Sequence, residues 1–345
     1  MKNLNGNITV DVVIDLSRGD SGKGKIAHYL TKHKNYTHVM RTSGGQNAGH
    51  TIYHEGKKYA THIIPSGVFT KLSSVIGPGC VFNIDLLRKE IEEIETTSQG
   101  SIEVKPYLKI AKNSHIVTQA HLDEEKSETK VGTTKRGIGP AYRDKYSRVG
   151  IRAEEALKGT EFEECLIDIH EEFYLKDTNN TKRVLIEGAQ GFYLDIDWGG
   201  YPYVTSSHCG LGGVFLNGFN HKQIDTVYGA IKAYETYVGS KQFEDVSNPI
   251  FAKIRELGGE RGVTTGRPRQ VNWINTDELV KACQINAADK VVVSKMDILK
   301  GLGEWHTRDS SGNITTFKTE QEFKDSIQQL LPGVEFIWSY TPEGF

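Results

Sequence analysis

The sequence is poor in cysteine, and its few cysteines are far apart. Cys80, Cys165, Cys209 and Cys283 include no C-x-x-C pair. Zinc sites and small disulfide-stabilised domains both need closely patterned cysteines, so the spacing excludes both classes. Free cysteines persist in a reducing compartment, and we therefore expect a cytoplasmic protein.

Long apolar runs and an excess of one charge sign are also missing. No stretch reaches the roughly 18 apolar residues of a transmembrane helix, and residues 1–16 lack the apolar block and cleavage site of a signal peptide. Lys and Arg together number 42, against 44 for Asp and Glu. This balance is not that of a protein that coats nucleic acid. We therefore expect neither a membrane nor a nucleic acid as a partner.

Proline is scarce as well, with 9 residues, whereas glycine is abundant, with 36 of 345. Because the glycines have no G-X-Y period and little accompanying proline, collagen and Pro/Gly-rich disorder are excluded. Abundant glycine instead indicates many places where the backbone turns sharply or approaches a ligand. No linker rich in proline or serine divides the chain, so we expect residues 1–345 to form a single catalytic domain.

A strand, a glycine turn and a helix follow one another near the start of the chain. Residues 8–16 are β-branched and almost continuously apolar, which predicts a buried strand. A glycine-rich turn at 19–24 precedes a helical pattern from 25 to 33. This order is typical of a parallel α/β domain. We therefore expect an α/β fold, with one large domain around a central, mostly parallel sheet and a P-loop-like first strand–loop–helix unit.

Further elements are predicted from the same patterns. Buried strands are expected within 184–191, 226–234 and 290–299, and amphipathic surface helices at 84–97 and 318–331. Residues 120–150 are polar, basic and weakly periodic. A segment of that length and character predicts a functional loop or disorder.

The turn after the first strand nearly matches a phosphate-binding loop. From Gly19 to Lys25 it reads G-x-x-x-x-G-K, but Ile26 follows where a P-loop has Ser or Thr. Backbone N–H groups of such a loop converge on phosphate oxygens. In place of the missing hydroxyl, Asp20 offers a hard oxygen ligand for Mg²⁺. The alternative is a glycine-rich turn with solvated lysines, and the flanking strand and helix favour phosphate binding.

Several side chains are candidates for acid–base chemistry. His50 ends a run with two glycine turns around Asn47, and a histidine there is able to act as a general acid or to stabilise developing charge. His62 also precedes a turn. A lone histidine is more often a packed or surface residue, so neither position establishes catalysis. For Asp195 and Asp197, which would share one face of a strand, we favour structural hydrogen bonding.

Hydroxyl and guanidinium groups occur together in two other segments. Thr133 and Thr134 precede Arg136, a combination that suits a phosphomonoester but also describes a basic solvated loop. Residues 262–269 place two threonines and two arginines around a glycine turn, which favours binding of a carboxylate or phosphate.

Polar side chains also follow two of the predicted strands. Gln190 suits the edge of a purine, and Thr205 suits a phosphate. Lys295 and Asp297 follow the strand within 290–299 and resemble a nucleotide-base reader. Lysine and aspartate at strand ends are usually only solvated, so this pair is a weak signal by itself.

Taken in order, these segments resemble the adenylosuccinate synthetases. The matching runs extend from about residue 8 to 300 and are NAGHT, HIIPSG, RGIGPAY, EGAQG, DID, YPYVTSS and VTTGRPR. The resemblance implies an enzyme that joins aspartate to a 6-oxopurine nucleotide, using a nucleoside triphosphate and Mg²⁺, on a mixed α/β fold and as a homodimer. It also implies the route, in which N1 loses its proton, O6 attacks the γ-phosphate, and the aspartate amine displaces phosphate at C6.

The resemblance implies a role for each matching residue. Asp20 would take the N1 proton and, with the Gly49 carbonyl, hold Mg²⁺, while His50 would assist phosphoryl transfer. Arg148 would reach the purine phosphate from the other subunit. The implied triphosphate-binding residues are Gly22, Lys23, Gly24, Lys25, Gly49, His50, Thr51, Arg269, Lys295 and Asp297. Those for the purine monophosphate are Asp20, Ser21, Asn47, Thr133, Thr134, Arg148, Gln190 and Thr205, and those for aspartate are Val263, Thr264, Thr265, Arg267 and Arg269.

Two features depart from the family's pattern. The first loop reads GDSGKGK where the family has GDEGKGK, so Ser21 replaces a glutamate, and Ser17 and Arg18 replace a Gln-Trp pair. The final run, WSYTPEGF, replaces an ending of the form Ser-x-Gly-Pro-x-Arg. A short chain with this serine resembles the phage branch of the family, which uses dGMP to make the succino precursor of 2-aminoadenine. That branch would place the protein in a host cytoplasm.

We therefore expect dGMP as the purine, with Ser21 as a third catalytic residue beside Asp20 and His50. Ser21 would leave room for the 2-amino group, offer an acceptor and help to relay the N1 proton. The phage resemblance and the altered ending favour ATP as donor, whereas Lys295 and Asp297 favour GTP. One alternative is an ordinary adenylosuccinate synthetase acting on IMP with GTP. The other, a non-catalytic purine-nucleotide sensor on the same fold, is disfavoured by the retained catalytic residues.

Overall fold

The elements of the fold come from a computed structural model that describes residues 7–129, 131–177, 179–262 and 266–345. Its strands are β1 (Ile8–Asp15), β2 (His38–Arg41), β3 (His50–His54), β4 (Lys57–Thr61), β5 (Ser73–Ile76), β6 (Val81–Phe82), β7 (Leu108–Ala111), β8 (His115–Ile116), β9 (Leu166–Ile167), β10 (Lys182–Glu187), β11 (Ile224–Lys232), β12 (Glu235–Tyr237), β13 (Gln270–Asn272), β14 (Ile274–Asn275), β15 (Lys290–Ser294), β16 (Trp305–Arg308), β17 (Ile314–Phe317) and β18 (Glu335–Trp338). Its α-helices are α1 (Lys23–His33), α2 (Ile84–Thr97), α3 (Gln119–Lys126), α4 (Ile138–Ser147), α5 (Ala153–Ala156), α6 (Leu211–Phe215), α7 (Pro249–Leu257), α8 (Thr276–Asn286), α9 (Met296–Leu302) and α10 (Glu320–Leu330).

Nine of these strands form one central sheet in the described part of the chain. Their order is β18-β15-β11-β1-β10-β2-β5-β7-β9, and every neighbouring pair is parallel. The first strand therefore lies in the interior of the sheet, between β10 and β11. This arrangement confirms the expected α/β fold around a mostly parallel sheet.

Both faces of β1 are buried, as its apolar run predicts. Val10 and Val12 belong to one core cluster, whereas Val13 packs with Ile26 and Leu30 of α1 in another. A parallel strand that is covered on both faces needs apolar residues at successive positions rather than at alternate ones. The first strand–loop–helix unit is thereby held in the middle of the sheet.

The carboxyl ends of the parallel strands meet at one edge, where three non-glycine residues have left-handed backbone. Asp20 (φ 60°) follows β1, Gln190 (φ 52°) follows β10 and Lys295 (φ 66°) follows β15. Such residues adopt positive φ at a conformational cost, and they concentrate at functional sites. Ligands of open parallel sheets bind outside this same edge. The backbone therefore points to the same loops as the sequence motifs do.

The segment predicted to be irregular, residues 120–150, contains two helices, so that prediction was wrong. α3 begins with a capping box at Thr118. α4 buries Ile138, Ala141 and Tyr142 on one face, within a small core cluster. These three apolar residues have helical spacing, but the many charges around them masked the pattern. Their burial against neighbouring elements, which the local sequence does not display, stabilises the helix.

The other predicted elements agree with the structure apart from their ends. The helix predicted at 84–97 is α2, and the one at 318–331 shortens to α10. The strand predicted within 290–299 ends at Ser294, because left-handed Lys295 stops it and α9 follows. Across the described ranges, no helix has both the length and the apolar character needed to cross a membrane.

Candidate active site

A cavity of about 540 Å³ opens beside the first glycine loop. Its wall includes ten of the predicted site residues, which come from distant parts of the chain. These residues are Asp20, Lys23, Asn47, Gly49, His50, Thr133, Thr134, Gln190, Thr205 and Arg267. A concave site that gathers so many predicted polar groups is the expected place of substrate binding.

Other predicted residues lie outside the wall of this cavity. They are Ser21, Gly22, Gly24, Lys25, Thr51, Arg148, Arg269, Lys295 and Asp297. Arg148 is exposed at the end of α4. Three predicted aspartate-binding residues, Val263, Thr264 and Thr265, lie outside the described residues. Arg267, which does line the cavity, donates to the Gly132 and Thr133 carbonyls at 3.0 Å each and so joins two loops.

A buried aspartate at the end of β1 organises the first glycine loop. The Asp15 carboxylate accepts backbone N–H groups from Ser17 at 2.9 Å, Gly19 at 3.2 Å and Ser21 at 3.1 Å. It also accepts the Lys23 Nζ at 3.3 Å. The sequence motifs did not predict this role. The available signal was an aspartate at the end of an apolar strand, where a buried carboxylate needs hydrogen-bond donors. The loop conformation thus depends on one side chain beneath it.

The hydroxyl of Ser21 is bonded within the loop and is not presented to the cavity. Ser21 is 2% exposed, and its Oγ lies 3.2 Å from the Ser17 Oγ and 3.4 Å from the Gly19 carbonyl. Both serine positions depart from the family's pattern, and the structure places them in contact. This geometry does not support the expectation that Ser21 contacts the purine directly.

Asp20 faces the cavity and forms an ion pair with Arg269. The guanidinium donates to Asp20 Oδ2 through Nε at 2.9 Å and through Nη2 at 2.8 Å. The Asp20 side chain is 27% exposed, whereas that of Arg269 is 9% exposed. A predicted triphosphate- and aspartate-binding arginine therefore contacts the predicted base from behind the cavity wall.

His50 is held by a buried glutamate. Its Nδ1 is hydrogen-bonded to Glu187, whose second oxygen accepts the Ser66 N–H at 2.7 Å. Burial, with the nearby Arg41 charge, lowers the pKa of His50 to about 4. Burial alone would raise the pKa of Glu187, but the His50 hydrogen bond and charge outweigh it and lower that pKa to about 2. We therefore infer a neutral imidazole that donates Nδ1–H to a carboxylate.

The other ring nitrogen of His50 is a buried atom with no hydrogen-bond partner among the described residues. Because His50 lines the cavity, this nitrogen is available to a ligand. The amide of Gln190 is in the same condition, since neither its oxygen nor its nitrogen has a partner in the described ranges. Buried polar atoms are normally paired, so groups left unpaired at a cavity wall indicate a ligand site. Glu187, missed as a functional residue, was visible only as part of the EGAQG run.

Three of the predicted triphosphate residues, Lys25, Lys295 and Asp297, lie apart from the cavity wall. Lys25 Nζ donates to Ser339 Oγ at 2.7 Å and to the Thr341 carbonyl at 3.0 Å. Burial, with repulsion from Lys295, lowers the pKa of Lys25 to about 8. Lys295 donates to the Gly258 carbonyl at 2.8 Å. The last residues of the chain therefore contact the lysine of the first loop, which no sequence motif predicted.

Arg18, one of the two departures before the loop, lines the cavity. Its guanidinium donates to Glu235 at 3.1 Å and to Glu278 at 2.8 Å. It also lies over the rings of Tyr193 and Phe243, at 5.0 and 4.8 Å from their centroids. Two carboxylates and two aromatic rings therefore hold the Arg18 guanidinium in place as part of the cavity wall.

The paired acids near residue 195 are not on a strand, which corrects the assumed geometry. Asp195 follows a short 3-10 turn at Phe192–Leu194. Its carboxylate accepts the N–H groups of Asp197 at 2.9 Å, Trp198 at 3.3 Å and Cys209 at 2.6 Å. These bonds confirm the predicted structural role of Asp195.

Known proteins share both the sequence pattern and the fold. The family profile of adenylosuccinate synthetase matches residues 12–176 and 167–307. Adenylosuccinate synthetase of Thermus thermophilus is 39% identical over an alignment of 329 positions, which covers 84% of this chain and 79% of the relative. The enzyme of Caldanaerobacter subterraneus is 36% identical over a gapped alignment of 373 positions, which covers 94% of this chain and 85% of the relative.

Two solved structures agree with the fold. Fully ligated adenylosuccinate synthetase from Plasmodium falciparum superposes with a TM-score of 0.85 at 28% identity, covering 98% of each chain. Succinoaminodeoxyadenylate synthetase of cyanophage S-2L, bound to dGMP and dATP, reaches 0.76 at 20% identity, covering 97% of this chain and 93% of the other. The second likeness supports the fold alone. The matched profile, the identity to curated relatives and the shared architecture together establish that this chain belongs to the adenylosuccinate synthetase family, whose members are carbon–nitrogen ligases that use a nucleoside triphosphate.

Proposed function

We propose that the chain joins the amine of L-aspartate to C6 of a 6-oxopurine nucleoside monophosphate, with cleavage of a nucleoside triphosphate. The observation that carries this proposal is the convergence of Asp20, His50 and Gln190 on one cavity wall. Asp20 follows β1, His50 begins β3 and Gln190 follows β10. Together they supply a carboxylate, an imidazole nitrogen without a described partner and an amide without one. That set matches what a purine with a reacting O6 requires.

The proposed reaction begins with the transfer of the purine N1 proton to Asp20. The electron pair left on the ring makes O6 nucleophilic, and O6 bonds to the γ-phosphorus while the bond to the β–γ bridging oxygen breaks. The amine of aspartate then bonds to C6, and phosphate leaves with O6. Each step depends mainly on positioning and on stabilisation of charge, as in other phosphoryl transfers.

His50 supports the transfer through Nε2. Glu187 accepts a hydrogen bond from Nδ1–H, so it orients the ring and favours the imidazolium form when anionic phosphate oxygens approach. In that form, Nε2–H is a charged donor beside O6 and the phosphoryl group that it receives. Gln190 supplies one donor and one acceptor for the edge of the purine.

Mg²⁺ is the cofactor that we expect, as in the family. The Asp20 carboxylate and the Gly49 carbonyl are hard oxygen donors on the same cavity wall, so the residues present fit this ion. Mg²⁺ is usually held by one or two protein oxygens, while phosphate and water complete its octahedron. When bound, the ion supplies neutralisation of charge on phosphate oxygens.

The purine that the comparisons favour is IMP, which was the alternative expectation from the sequence. The curated relatives at 36–39% identity are named adenylosuccinate synthetases. The position of the Ser21 hydroxyl, inside the loop, also removes the direct contact on which the dGMP expectation depended.

dGMP remains the second candidate because of one specific observation, the altered first loop. Ser17, Arg18 and Ser21 differ together from the family's pattern, and Arg18 reaches the cavity wall. The cyanophage protein of similar fold is named as a succinoaminodeoxyadenylate synthetase with dGMP bound. A loop changed at three positions is able to alter which purine is accepted.

For the donor, GTP and ATP are both considered. Asp297 is exposed in the first turn of α9, beside Lys295, and a carboxylate there accepts from the N1–H and 2-amino groups of guanine, which supports GTP. The cyanophage protein is named with dATP as energy donor. The run that contacts Lys25 differs from the family's ending, and this difference supports ATP.

We also infer a single catalytic domain over residues 1–345 that acts as a homodimer. The central sheet draws strands from both ends of the chain, from β1 to β18, which supports one domain. Arg148 is exposed at the end of α4, near exposed Tyr146 and Val149, which supports its contribution to a partner's site.

Turnover with IMP and with dGMP, each with GTP and with ATP, tests the proposal directly. L-Aspartate and Mg²⁺ are held constant, phosphate release is followed, and the succino product is identified by mass spectrometry. Product from IMP and none from dGMP would exclude the second candidate, and the reverse would exclude the first. Phosphate release without a succino product from either purine would refute the ligase proposal itself.

A further inference from the structure

A buried carboxylate lies behind the wall of the cavity and has no part in the reaction described above. Glu260 follows α7 and is 0% exposed. One of its oxygens accepts Lys232 Nζ at 2.8 Å and Arg269 Nη1 at 2.5 Å. The other accepts the Tyr234 hydroxyl at 2.6 Å. A charged group buried this completely requires partners of opposite charge, and Glu260 has two.

The same glutamate closes the base of the loop that carries Arg267. The Glu260 carbonyl accepts the Arg269 N–H at 3.0 Å, and Arg261 forms an antiparallel bridge with Pro268. Side-chain and main-chain bonds between Glu260 and Arg269 therefore hold Arg261 and Pro268 beside each other.

Arg269 in turn bridges two unlike carboxylates. Its Nη1 holds Glu260, and its Nε and Nη2 hold Asp20. The outer partner is 27% exposed, whereas the inner partner has no exposed surface. Separation of the partly exposed Arg269–Asp20 pair costs little free energy, whereas separation of the buried Arg269–Glu260 pair costs much more. When a ligand contacts Asp20, Arg269 therefore keeps its place through the inner bond.

We propose that Glu260 is a positioning residue, which fixes Arg269 behind Asp20 and so couples Arg267 and Arg269 to the first glycine loop. The role of this coupling rests on the proposed function, in which Asp20 takes the purine proton, and on the expectation from the sequence that Arg267 and Arg269 bind aspartate. Glu260 touches neither substrate. Its effect is to hold the Arg269 guanidinium in a fixed position beside Asp20.

The test compares Glu260→Gln with the double variant Lys232→Met/Glu260→Gln. The single variant removes the inner anion and leaves Lys232 buried without its counter-charge. The double variant removes both charges, so it restores the balance while Arg269 remains without its anchor. Asp11→Asn is the matched control, because Asp11 is also a buried carboxylate, 1% exposed, and it pairs with Lys34.

Two measurements are made on each variant. The first is kcat/KM for L-aspartate, which we expect to fall about 10- to 100-fold in both Glu260 variants, the range for loss of a charged hydrogen bond. The second is the rate of tryptic cleavage after Arg269 without substrates, followed by mass spectrometry. Arg269 is 8% exposed, so release from its anchor should raise this rate about tenfold or more. Asp11→Asn should change neither quantity beyond its effect on thermal stability.

Recovery of both quantities in the double variant would overturn the proposal, because Glu260 would then serve only to neutralise Lys232. The proposal would also be overturned if Glu260→Gln behaved like Asp11→Asn. If the unmodified protein formed no succino product, the proposed function would fail. The cleavage rates would then decide the positioning role alone, since they do not depend on turnover.

Discussion

The two sides of the first glycine loop are prepared for ligands in different ways. On the purine side, His50 Nε2 and the Gln190 amide are buried at the cavity wall with no partner among the described residues. On the triphosphate side, Lys25 already donates to Ser339 and Thr341. Under the proposed function, the purine would gain hydrogen bonds that the protein does not make for itself, whereas a triphosphate would replace bonds that already exist.

This difference bears on where substitutions act. Groups on the purine side hold their places through buried partners, such as Glu187 for His50, and they are free to interact with the reacting atoms. Exchange of one set of hydrogen bonds for another changes the free energy little, because each net bond contributes only about 1 kcal/mol. We therefore expect large effects on kcat from the purine side and modest effects on KM from the triphosphate side.

The largest effect is expected from His50→Ala. Loss of the charged donor beside the transferred group should lower kcat by about 10²- to 10⁴-fold, the usual range for a general acid–base residue. Binding of the purine nucleotide, measured by calorimetry, should change little, because Gln190 and the threonines remain. His33→Ala, at an exposed position of α1, is the control. Retention of more than a tenth of kcat would mean that Nε2 does not act on the reacting atoms.

The next effect concerns the purine edge and is expected from Gln190→Asn. Asparagine tolerates the left-handed backbone of this position, φ 52°, but it is one methylene shorter. We expect the KM for the purine nucleotide to rise about tenfold, with a smaller change in kcat, because one or two hydrogen bonds are lost. Gln119→Asn, on an exposed part of α3, should leave the KM unchanged. An unchanged KM at position 190 would place the purine edge elsewhere on the wall.

On the triphosphate side, we expect a pH dependence. The pKa of Lys25 is lowered to about 8, so the side chain is charged below that pH and neutral above it. A polyanionic triphosphate favours the charged form, and kcat/KM for the triphosphate should fall as pH rises through 8, by up to about tenfold per pH unit. Initial rates from pH 7 to 10 at saturating purine and aspartate measure this limb. Lys25→Met should abolish it, and its persistence in that variant would assign the limb to another group.

The smallest effect is expected from Ser339→Ala. This variant tests most directly whether the two sides of the first glycine loop differ. If Ser339 competes with the triphosphate for Lys25, its removal should lower the triphosphate KM about two- to fivefold and leave kcat unchanged. Ser310→Ala, in an exposed turn, is the control. A rise in KM would mean that Ser339 contacts the triphosphate, and the two sides of the loop would then be prepared alike.

Much of the fold was predictable because its signals are local. The apolar run of β1, the glycine turn and the spacing of α1 specify a strand–loop–helix unit within about 25 residues. α2 was predicted with its observed ends for the same reason. α4 was missed because its three buried residues are spaced among charges, and only their packing partners distinguish them from a solvated loop.

The candidate site was predictable as a set of loops but not as a set of contacts. The motifs named ten residues that the cavity unites. They did not reveal that Asp15 shapes the first loop, or that Ser21 is directed toward Ser17. The expectation of direct contact between Ser21 and the purine followed from residue type and from the phage resemblance, whereas side-chain direction is a property of the folded loop.

By itself, the sequence determined the order of elements, the glycine turns and the chemical types brought to them, because each depends on neighbours along the chain. The tertiary structure alone decided which groups meet. His50 and Glu187 are 137 residues apart in sequence, Asp20 and Arg269 are 249 apart, and Lys25 and Ser339 are 314 apart. No local propensity encodes such pairings, since they arise from the order of parallel strands in the sheet. The lowered pKa of His50, the anchoring of Arg269 and the partners of Lys25 are consequences of that order.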